Sequence, residues 1–188
     1  MEKGKIIFLN GVSSSGKTTL AKTLQVKMSE QFFFLEKDAF AGMMRMPDKY
    51  YDVDWDRWEQ VENKIISAFY QTIKTFSDMG FHMIVERIFF REFNSLAKCV
   101  ELFHDYTVLF VKVICPLEEL QRREKERGDR IIGQSEEQLE DLVPEDTYDI
   151  IVDTHANSIE ECADKIIEIL DYPEKFTAFK TLWEQRTE

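Results

Sequence analysis

The stretch Gly11-Val12-Ser13-Ser14-Ser15-Gly16-Lys17-Thr18, near the start of the chain, fits the phosphate-loop pattern G-x-x-x-x-G-K-[ST]. In such a loop the glycines allow successive backbone N–H groups to turn inward around phosphate oxygens, and the following helix points its positive end at them. The pattern assigns Lys17 to the β- and γ-phosphates and the Thr18 hydroxyl to Mg²⁺. The stretch therefore predicts a nucleoside triphosphate site. The residues expected to bind the nucleotide are Gly11, Ser13, Ser14, Ser15, Gly16, Lys17, Thr18 and the following Thr19.

The sequence on either side of this loop agrees with that interpretation. Residues 5–10 form a short apolar run of β-prone residues, and residues 17–30 carry apolar side chains at helical spacing. The succession of strand, loop and helix distinguishes a working phosphate loop from a chance Ser-Gly turn. We therefore expect an α/β protein with the fold of P-loop NTPases.

Length and charge limit the other possibilities. A chain of 188 residues suits a single domain, 1–188, and a hydrophobic content of 44% suffices for one core. Without an apolar run of signal-peptide or membrane-span type, we expect a cytoplasmic protein that needs no membrane. A net charge of −12 argues against a nucleic acid partner, because binding a phosphate backbone needs a broad basic face. The widely spaced Cys99, Cys115 and Cys162 predict neither a disulfide nor a zinc site.

Apolar periodicity predicts strands that alternate with helices along the chain, which indicates a parallel five-stranded sheet covered on both faces, in three layers. Ser135 and Gln138 have the spacing of a capping box for a short helix. A C-terminal helix at about 173–185 carries apolar residues that predict core packing or a homodimer contact. The predicted strands are 5–10, 32–35, 81–86, 107–115 and 149–152, and the main predicted helices are 17–30, 55–77, 93–103, 116–127 and 157–170.

Polar residues that follow strands have special weight, because ligands bind beyond the carboxyl ends of parallel strands. Asp38 follows the second strand and is the candidate general base for an acceptor hydroxyl, although Asp is also a favoured helix N-cap. Glu86 and Arg87 end the third strand. Glu86 could hold an Mg²⁺-bound water or the acceptor, and Arg87 could bind substrate or the phosphates. The alternative is that these two residues pair only with each other.

The densest basic cluster of this acidic chain predicts a mobile lid at about 122–135. Arg123, Arg127 and Arg130 lie four and three residues apart, and a Gly-Asp step precedes the last of them. Guanidinium groups on a closing lid would stabilise the developing charge on the transferring phosphoryl group and help to expel water. For Arg122 and Arg123 the alternative is surface pairing with neighbouring glutamates.

Aromatic and methionine residues crowd the segment after Asp38. They could wall a pocket for a partly apolar acceptor, with Phe40 and Met43 as its first contacts, or they could simply pack in the core. The same segment also contains Met44, Met46, Tyr50, Tyr51 and Trp55.

Several motifs fall in one order along the chain: Ile7-Phe8-Leu9-Asn10 with the phosphate loop, Asp38-Ala39-Phe40, residues 80–85, Arg127-Gly128-Asp129-Arg130, Gly133, Gln138, residues 148–154 and residues 158–163. In this order and approximate spacing the chain resembles the chloramphenicol phosphotransferase-like family of P-loop kinases. The resemblance implies ATP-dependent phosphorylation of a hydroxyl on a small molecule. It places Asp38 at the family's base position and Arg127 and Arg130 at its lid.

Three functions remain open from the sequence. The first is an O-kinase that uses ATP and Mg²⁺ and acts on an antibiotic or a metabolite. The second is a nucleoside or nucleotide kinase, since the Glu86-Arg87 pair resembles that of nucleoside and thymidylate kinases. The third is a nucleotide-dependent switch that hydrolyses ATP slowly and signals to a partner through closure of the lid.

Overall fold

Five parallel strands form one sheet in the computed structural model, which describes residues 2–44, 55–91, 95–127, 133–144 and 147–186, with the backbone alone for 55–58. The spatial order of the strands is β2-β3-β1-β4-β5. This order places the first strand, which leads into the phosphate loop, at the centre of the sheet. The strands are β1 (Ile6–Asn10), β2 (Phe32–Glu36), β3 (His82–Glu86), β4 (Val108–Ile114) and β5 (Ile150–Asp153).

Helices connect the strands, and each predicted helix is present with ends that differ by a few residues. A 3-10 turn, Pro173–Lys175, precedes the last helix. The helices are α1 (Lys17–Lys27), α2 (Lys37–Gly42), α3 (Trp55–Asp78), α4 (Ser95–Phe103), α5 (Leu117–Arg127), α6 (Gln134–Asp141), α7 (Ile159–Leu170) and α8 (Ala178–Gln185). In the described parts of the chain, none of these helices has the length and apolar character needed to span a bilayer.

The two faces of the sheet carry separate apolar cores. Ile6 and Phe8 point to the face covered by α3, α4 and α8, whereas Ile7 and Leu9 point to the face covered by α1 and α7. All four side chains are fully buried, as expected for a strand with helices on both sides. The predicted three-layer parallel architecture is therefore confirmed.

The last helix belongs to the first of these cores. Phe179 of α8 is buried, and its ring stacks on that of Phe8 with 5.6 Å between centroids. This contact agrees with the core-packing alternative for the C-terminal helix.

Close backbone packing at the start of β1 gives a test of this arrangement. A Cβ atom added to Gly4 would lie 1.9 Å from the carbonyl oxygen of Phe81. The backbone of Gly4 cannot easily move away from Phe81, because its N–H donates to the Ser77 carbonyl at 2.8 Å and its own carbonyl accepts from Ser77 Oγ at 2.7 Å. We expect Gly4→Ala to lower the free energy of unfolding by about 1–3 kcal/mol, measured by urea denaturation.

Gly42→Ala is the matched control, because a Cβ atom there would meet nothing within 4 Å. Gly42 ends α2, and alanine is the better helix former, so its free energy of unfolding should stay constant or rise by up to about 1 kcal/mol. Equal losses in both variants would contradict the packing argument.

Candidate active site

The phosphate loop turns sharply between β1 and α1, and its glycines are required by its geometry. Gly16 has φ of +93°, and Ser14 also adopts a positive φ of 62°, which L-residues seldom do. A Cβ atom on Gly11 would lie 2.3 Å from the Val113 carbonyl oxygen of β4. The loop therefore lies directly against the carboxyl end of the sheet.

Two residues from distant parts of the chain hold this loop in place. Thr154, which follows β5, donates its hydroxyl hydrogen to the Ser15 carbonyl oxygen at 2.8 Å. Arg123 of α5 donates to the Ser14 carbonyl at 3.3 Å, and to Thr154 Oγ1 and the Thr154 carbonyl at 3.1 and 3.0 Å. Arg123, predicted to bind the nucleotide, thus supports the backbone of the binding loop.

Arg122 forms ion pairs with glutamates on the surface, which is the alternative that the sequence left open. It pairs with Glu119 and Glu126 on the exposed side of α5. Hydrogen bonds from Arg122 and Arg123 lower the pKa of Glu119 to about 2. Glu119 therefore stays ionised and orients both arginines.

Lys17, Thr18 and Glu86 meet where α1 begins beside the end of β3. Lys17 Nζ donates to the Val12 carbonyl at 2.8 Å and lies 3.6 Å from Glu86 Oε1. Thr18 Oγ1 donates to Glu86 Oε2 at 2.8 Å. The pairing of Leu9 with Glu86 brings the carboxylate to this position. A hydroxyl and a carboxylate side by side offer the hard oxygen ligands that Mg²⁺ prefers.

The serines of the loop indicate which group this site accepts. Among the described residues, the buried hydroxyl oxygens of Ser13, Ser14 and Ser15 have no hydrogen-bond partner. A buried hydroxyl without a partner costs about 1–3 kcal/mol, and Ser13 and Ser14 line the cleft, so these two call for a ligand rich in acceptors. Phosphate oxygens meet that need, and the residues present therefore fit a nucleoside triphosphate.

Glu86 and Arg87 contact different groups on opposite faces of the sheet. Glu86 faces α1, whereas Arg87 continues the side of β3 that faces α3 and α4. Arg87 is 7% exposed, and its guanidinium carbon lies 5.4 Å from the centroid of Tyr70 and 5.6 Å from that of Phe89. Burial raises the pKa of Tyr70 well above its ordinary value, and the neighbouring Arg87 acts in the opposite direction.

Asp38 presents an exposed carboxylate at the same edge of the sheet. It is the second residue of α2, and Glu36 occupies the N-cap position, so the N-cap alternative for Asp38 is wrong. The Asp38 side chain is 71% exposed, with Oδ1 3.8 Å from Lys37 Nζ. Lys37 also pairs with Glu62 of α3, so its charge is shared between two carboxylates.

One cleft of about 1220 Å³ joins these groups. Arg127, the exposed last residue of α5, lies at its edge. Gly11 and Ser15 are not in the described lining, because one faces β4 and the other is held by Thr154. The predicted site residues that line the cleft are Ser13, Ser14, Gly16, Lys17, Thr18, Thr19, Asp38, Glu86, Arg87, Arg123 and Arg127.

The aromatic segment contributes less to the cleft than the sequence predicts. Phe40 packs edge-on against Phe69 of the core, with 5.3 Å between centroids, and Met43 is 83% exposed. Neither is among the residues that the structure shows lining the cleft. Arg130, Met46, Tyr50, Tyr51 and the side chain of Trp55 lie outside the described residues.

The predicted capping box in α6 is wrong, and Ser135 and Gln138 form hydrogen bonds with other parts of the chain. Gly133, with φ of +92°, occupies the N-cap position, and no side chain caps the helix from there. Instead the buried Glu124 of α5 accepts hydrogen bonds from the backbone N–H groups of Gly133 and Ser135 at 3.1 and 2.8 Å. Gln138 Oε1 accepts from the Ser13 N–H at 2.6 Å. Together Glu124 and Gln138 fix α5 and α6 against the phosphate loop.

Glu124 makes this attachment dependent on pH. Burial alone would raise the pKa of Glu124, but the hydrogen bonds from Ser135 and Gly133 outweigh it and lower the pKa. A carboxyl with a lowered pKa in the folded state stabilises the protein above its unfolded pKa of about 4.5, and this contribution is lost as the pH falls through the folded value. We expect Glu124→Gln to lower the free energy of unfolding by about 1–3 kcal/mol at pH 7.

The difference in the free energy of unfolding between Glu124→Gln and the wild-type protein should shrink below about pH 4. Urea denaturation at a series of pH values from 7 to 3 measures it. Glu140→Gln, at an exposed position of the same α6, should change the free energy of unfolding by less than about 0.5 kcal/mol. A loss in Glu124→Gln that is constant from pH 7 to pH 3 would contradict the role of the ionised carboxylate.

Comparisons with known proteins show the family and the fold to which the chain is similar. The chain is similar to a Mycobacterium tuberculosis protein that is provisionally named an O-phosphotransferase, with 29% identity across 89% of this chain and 83% of the relative. Two solved structures share the fold. The M. tuberculosis APS kinase in complex with AMPPNP and APS matches with a TM-score of 0.64 and 18% identity, across 91% of this chain and 99% of that one.

The second structure, the tunicamycin resistance protein of Deinococcus radiodurans, matches with a TM-score of 0.66 and 20% identity, across 89% of this chain and 96% of that one. At these identities the likeness shows a common P-loop kinase fold. The model of the chloramphenicol phosphotransferase-like proteins matches residues 4–171. The family and the fold together make this protein a phosphotransferase. The chain belongs to the chloramphenicol phosphotransferase-like family.

Proposed function

We propose that this protein transfers the γ-phosphoryl group of ATP to a hydroxyl group of a small molecule held in the same cleft. The observation that carries the proposal is that one cleft contains both the phosphate loop and the exposed carboxylate of Asp38. Phosphoryl transfer needs a cradle for the donor phosphates and a base that can reach the acceptor hydroxyl. The phosphate loop and the Asp38 carboxylate would meet these two needs, at the ends of β1 and β2, which lie on either side of β3.

The donor half of the cleft is formed by the phosphate loop and the start of α1. Lys17 and the loop N–H groups would bind the β- and γ-phosphates, and the hydroxyls of Ser13 and Ser14, which line the cleft, would complete the cradle. Thr18 and Glu86 are the residues that would hold Mg²⁺, which supplies positive charge beside the phosphate oxygens. The M. tuberculosis APS kinase of the same fold contains AMPPNP, which supports a triphosphate donor.

The acceptor half contains the base. Asp38 accepts the proton of the acceptor hydroxyl while that oxygen bonds to the γ-phosphorus, and the bond from this phosphorus to the bridging β–γ oxygen breaks. ADP then leaves with the electron pair of that bond. Arg127, at the edge of the cleft, and Arg130, further along the chain, are proposed to stabilise the charge on the transferring group. Catalysis is then mostly positioning and electrostatics.

Mass spectrometry can test this function directly. The protein is incubated with ATP, Mg²⁺ and a pool of hydroxylated metabolites, antibiotics and nucleosides, and we expect one compound class to gain a single phosphoryl group. Products confined to nucleosides or nucleotides would favour the nucleoside kinase alternative. Slow release of ADP with no phosphorylated compound would contradict the kinase function and favour the switch.

Asp38 gives the sharpest test of mechanism. We expect Asp38→Asn to lower kcat by about 10²- to 10⁴-fold, because the amide cannot take up the proton. Its affinity for ATP, measured by calorimetry, should stay close to that of the wild-type protein. Glu59→Gln removes another exposed carboxylate that lines the same cleft, and its kcat should be unchanged. Equal kcat values for Asp38→Asn and the wild-type protein would exclude Asp38 as the base.

A further inference from the structure

Arg87 is a buried cation whose described neighbours do not satisfy its charge and its hydrogen-bond donors. The residue is 7% exposed, and its Nε atom has no hydrogen-bond partner among the residues that the structure describes. No carboxylate in the described parts of the chain forms an ion pair with it. Two aromatic rings, those of Tyr70 and Phe89, flank the guanidinium instead. Burying a charge without a counter-charge is costly, so this position calls for an anion.

In the proposed function, the nucleotide binds on the other face of β3. Side chains alternate along β3, so Ile84 and Glu86 face α1 and the phosphate loop, while Val85 and Arg87 face α3 and α4. The donor phosphates belong to the α1 face, where Glu86 meets Lys17 and Thr18. Arg87 lines the same cleft from the other face, and it therefore belongs to the acceptor half.

Two residues of α4 line the same part of the site as Arg87. Ser95, the first residue of α4, is 5% exposed, and no described residue forms a hydrogen bond with its hydroxyl oxygen. Lys98, one turn further on, is exposed, and its amine donates to Asn63 Oδ1 at 3.4 Å, a neutral partner. Ser95 and Lys98 line the cleft together with Arg87. An unpartnered donor on a buried guanidinium, an unpartnered hydroxyl and an ammonium group suit an oxyanion.

Two carboxylates of the acceptor half, those of Glu62 and Asp38, lie beside Lys37. In the described parts of the chain, neither carboxylate forms an ion pair with Arg87 or Lys98. An acceptor that spans this half of the cleft would present a hydroxyl to Asp38 and a negative group to Arg87.

We infer that Arg87, Ser95 and Lys98 form a binding site for an oxyanion group, a carboxylate, sulfate or phosphate, carried by the acceptor. The anion site itself follows from the contacts of these three residues, and its assignment to the acceptor rests on the proposed function. The acceptor class is then a hydroxylated acid, such as a hydroxycarboxylate, a sugar phosphate or a hydroxylated sulfate. Arg87 would bind it through the fork geometry that matches planar and tetrahedral oxyanions.

Binding can be measured without catalysis. The wild-type protein is saturated with AMPPNP and Mg²⁺, so that the phosphate loop is filled, and is titrated at constant ionic strength with sulfate or acetate. Acetamide and chloride are the controls of matched shape and matched ionic strength. We expect sulfate and acetate to raise the melting temperature in a saturable manner, and acetamide and chloride to have no such effect. Equal effects of acetate and acetamide, or no saturable effect of either anion, would overturn the site.

Variants assign the binding to these residues. We expect Arg87→Gln to weaken sulfate binding by about 10- to 100-fold and Lys98→Gln to weaken it several-fold. Lys98 is exposed, so this variant tests the site even if Arg87→Gln does not fold. Arg186→Gln removes a surface arginine outside the described lining of the cleft and should bind sulfate like the wild-type protein. Equal sulfate affinity in all three variants would overturn the assignment.

Two acceptor pools then separate this inference from the proposed function. One pool contains hydroxylated anions, and the other contains neutral hydroxylated compounds. Phosphorylation confined to the anionic pool, with KM raised more than kcat is lowered in Lys98→Gln, supports both proposals, and the product shows which oxyanion is carried. Phosphorylation confined to the neutral pool overturns the acceptor class and leaves the kinase function intact. No product from either pool, with sulfate binding lost in Lys98→Gln, contradicts the kinase function and supports the anion site.

Discussion

The hydrogen bond from the Thr154 hydroxyl to the Ser15 carbonyl oxygen, 2.8 Å long, fixes the phosphate loop to the sheet. Thr154 is itself placed by the pairing of β4 with β5, since its N–H donates to the Ile114 carbonyl at 3.1 Å. Gly16 lies beside Thr154 with φ of +93°, a backbone conformation that side chains with a Cβ atom rarely adopt. The loop can turn at this point because Gly16 has no side chain, and the start of α1 is positioned as a result.

Strand β3 separates the chemistry of the cleft into two halves. Its alternation sends Glu86 towards Lys17 and Thr18 and sends Arg87 between α3 and α4. Two adjacent charged residues thereby face different parts of the cleft without neutralising each other. The proposed anions would then be bound by a chain with a net charge of −12 through cations that lie locally within the cleft, where a low-dielectric wall strengthens their field.

The parts of the site that follow from local pattern could be predicted from the sequence. The phosphate loop has its own spacing, and the positions of Asp38, Glu86 and Arg87 at the cleft could be predicted because these residues follow predicted strands. Thr154 and Gln138 could not be found in this way, since they contact residues 139 and 125 positions away. Among many glutamates of α5, the buried Glu124 differs only in its tertiary contacts. For Phe40 the sequence could not distinguish a pocket from the core, because an aromatic side chain fits both, and the structure places it against Phe69 in the core.

The contrast between Asp38 and Arg87 bears on how the acceptor is oriented. Asp38 is largely exposed and held only loosely by Lys37, so its own contacts do little to position a hydroxyl. Arg87 is buried beside two aromatic rings, so it offers a point of attachment away from the reacting atoms. Binding energy gained at such a remote point can be used to align the reacting groups. An acceptor anchored at Arg87 would therefore reach Asp38 with its hydroxyl already directed at the γ-phosphoryl group.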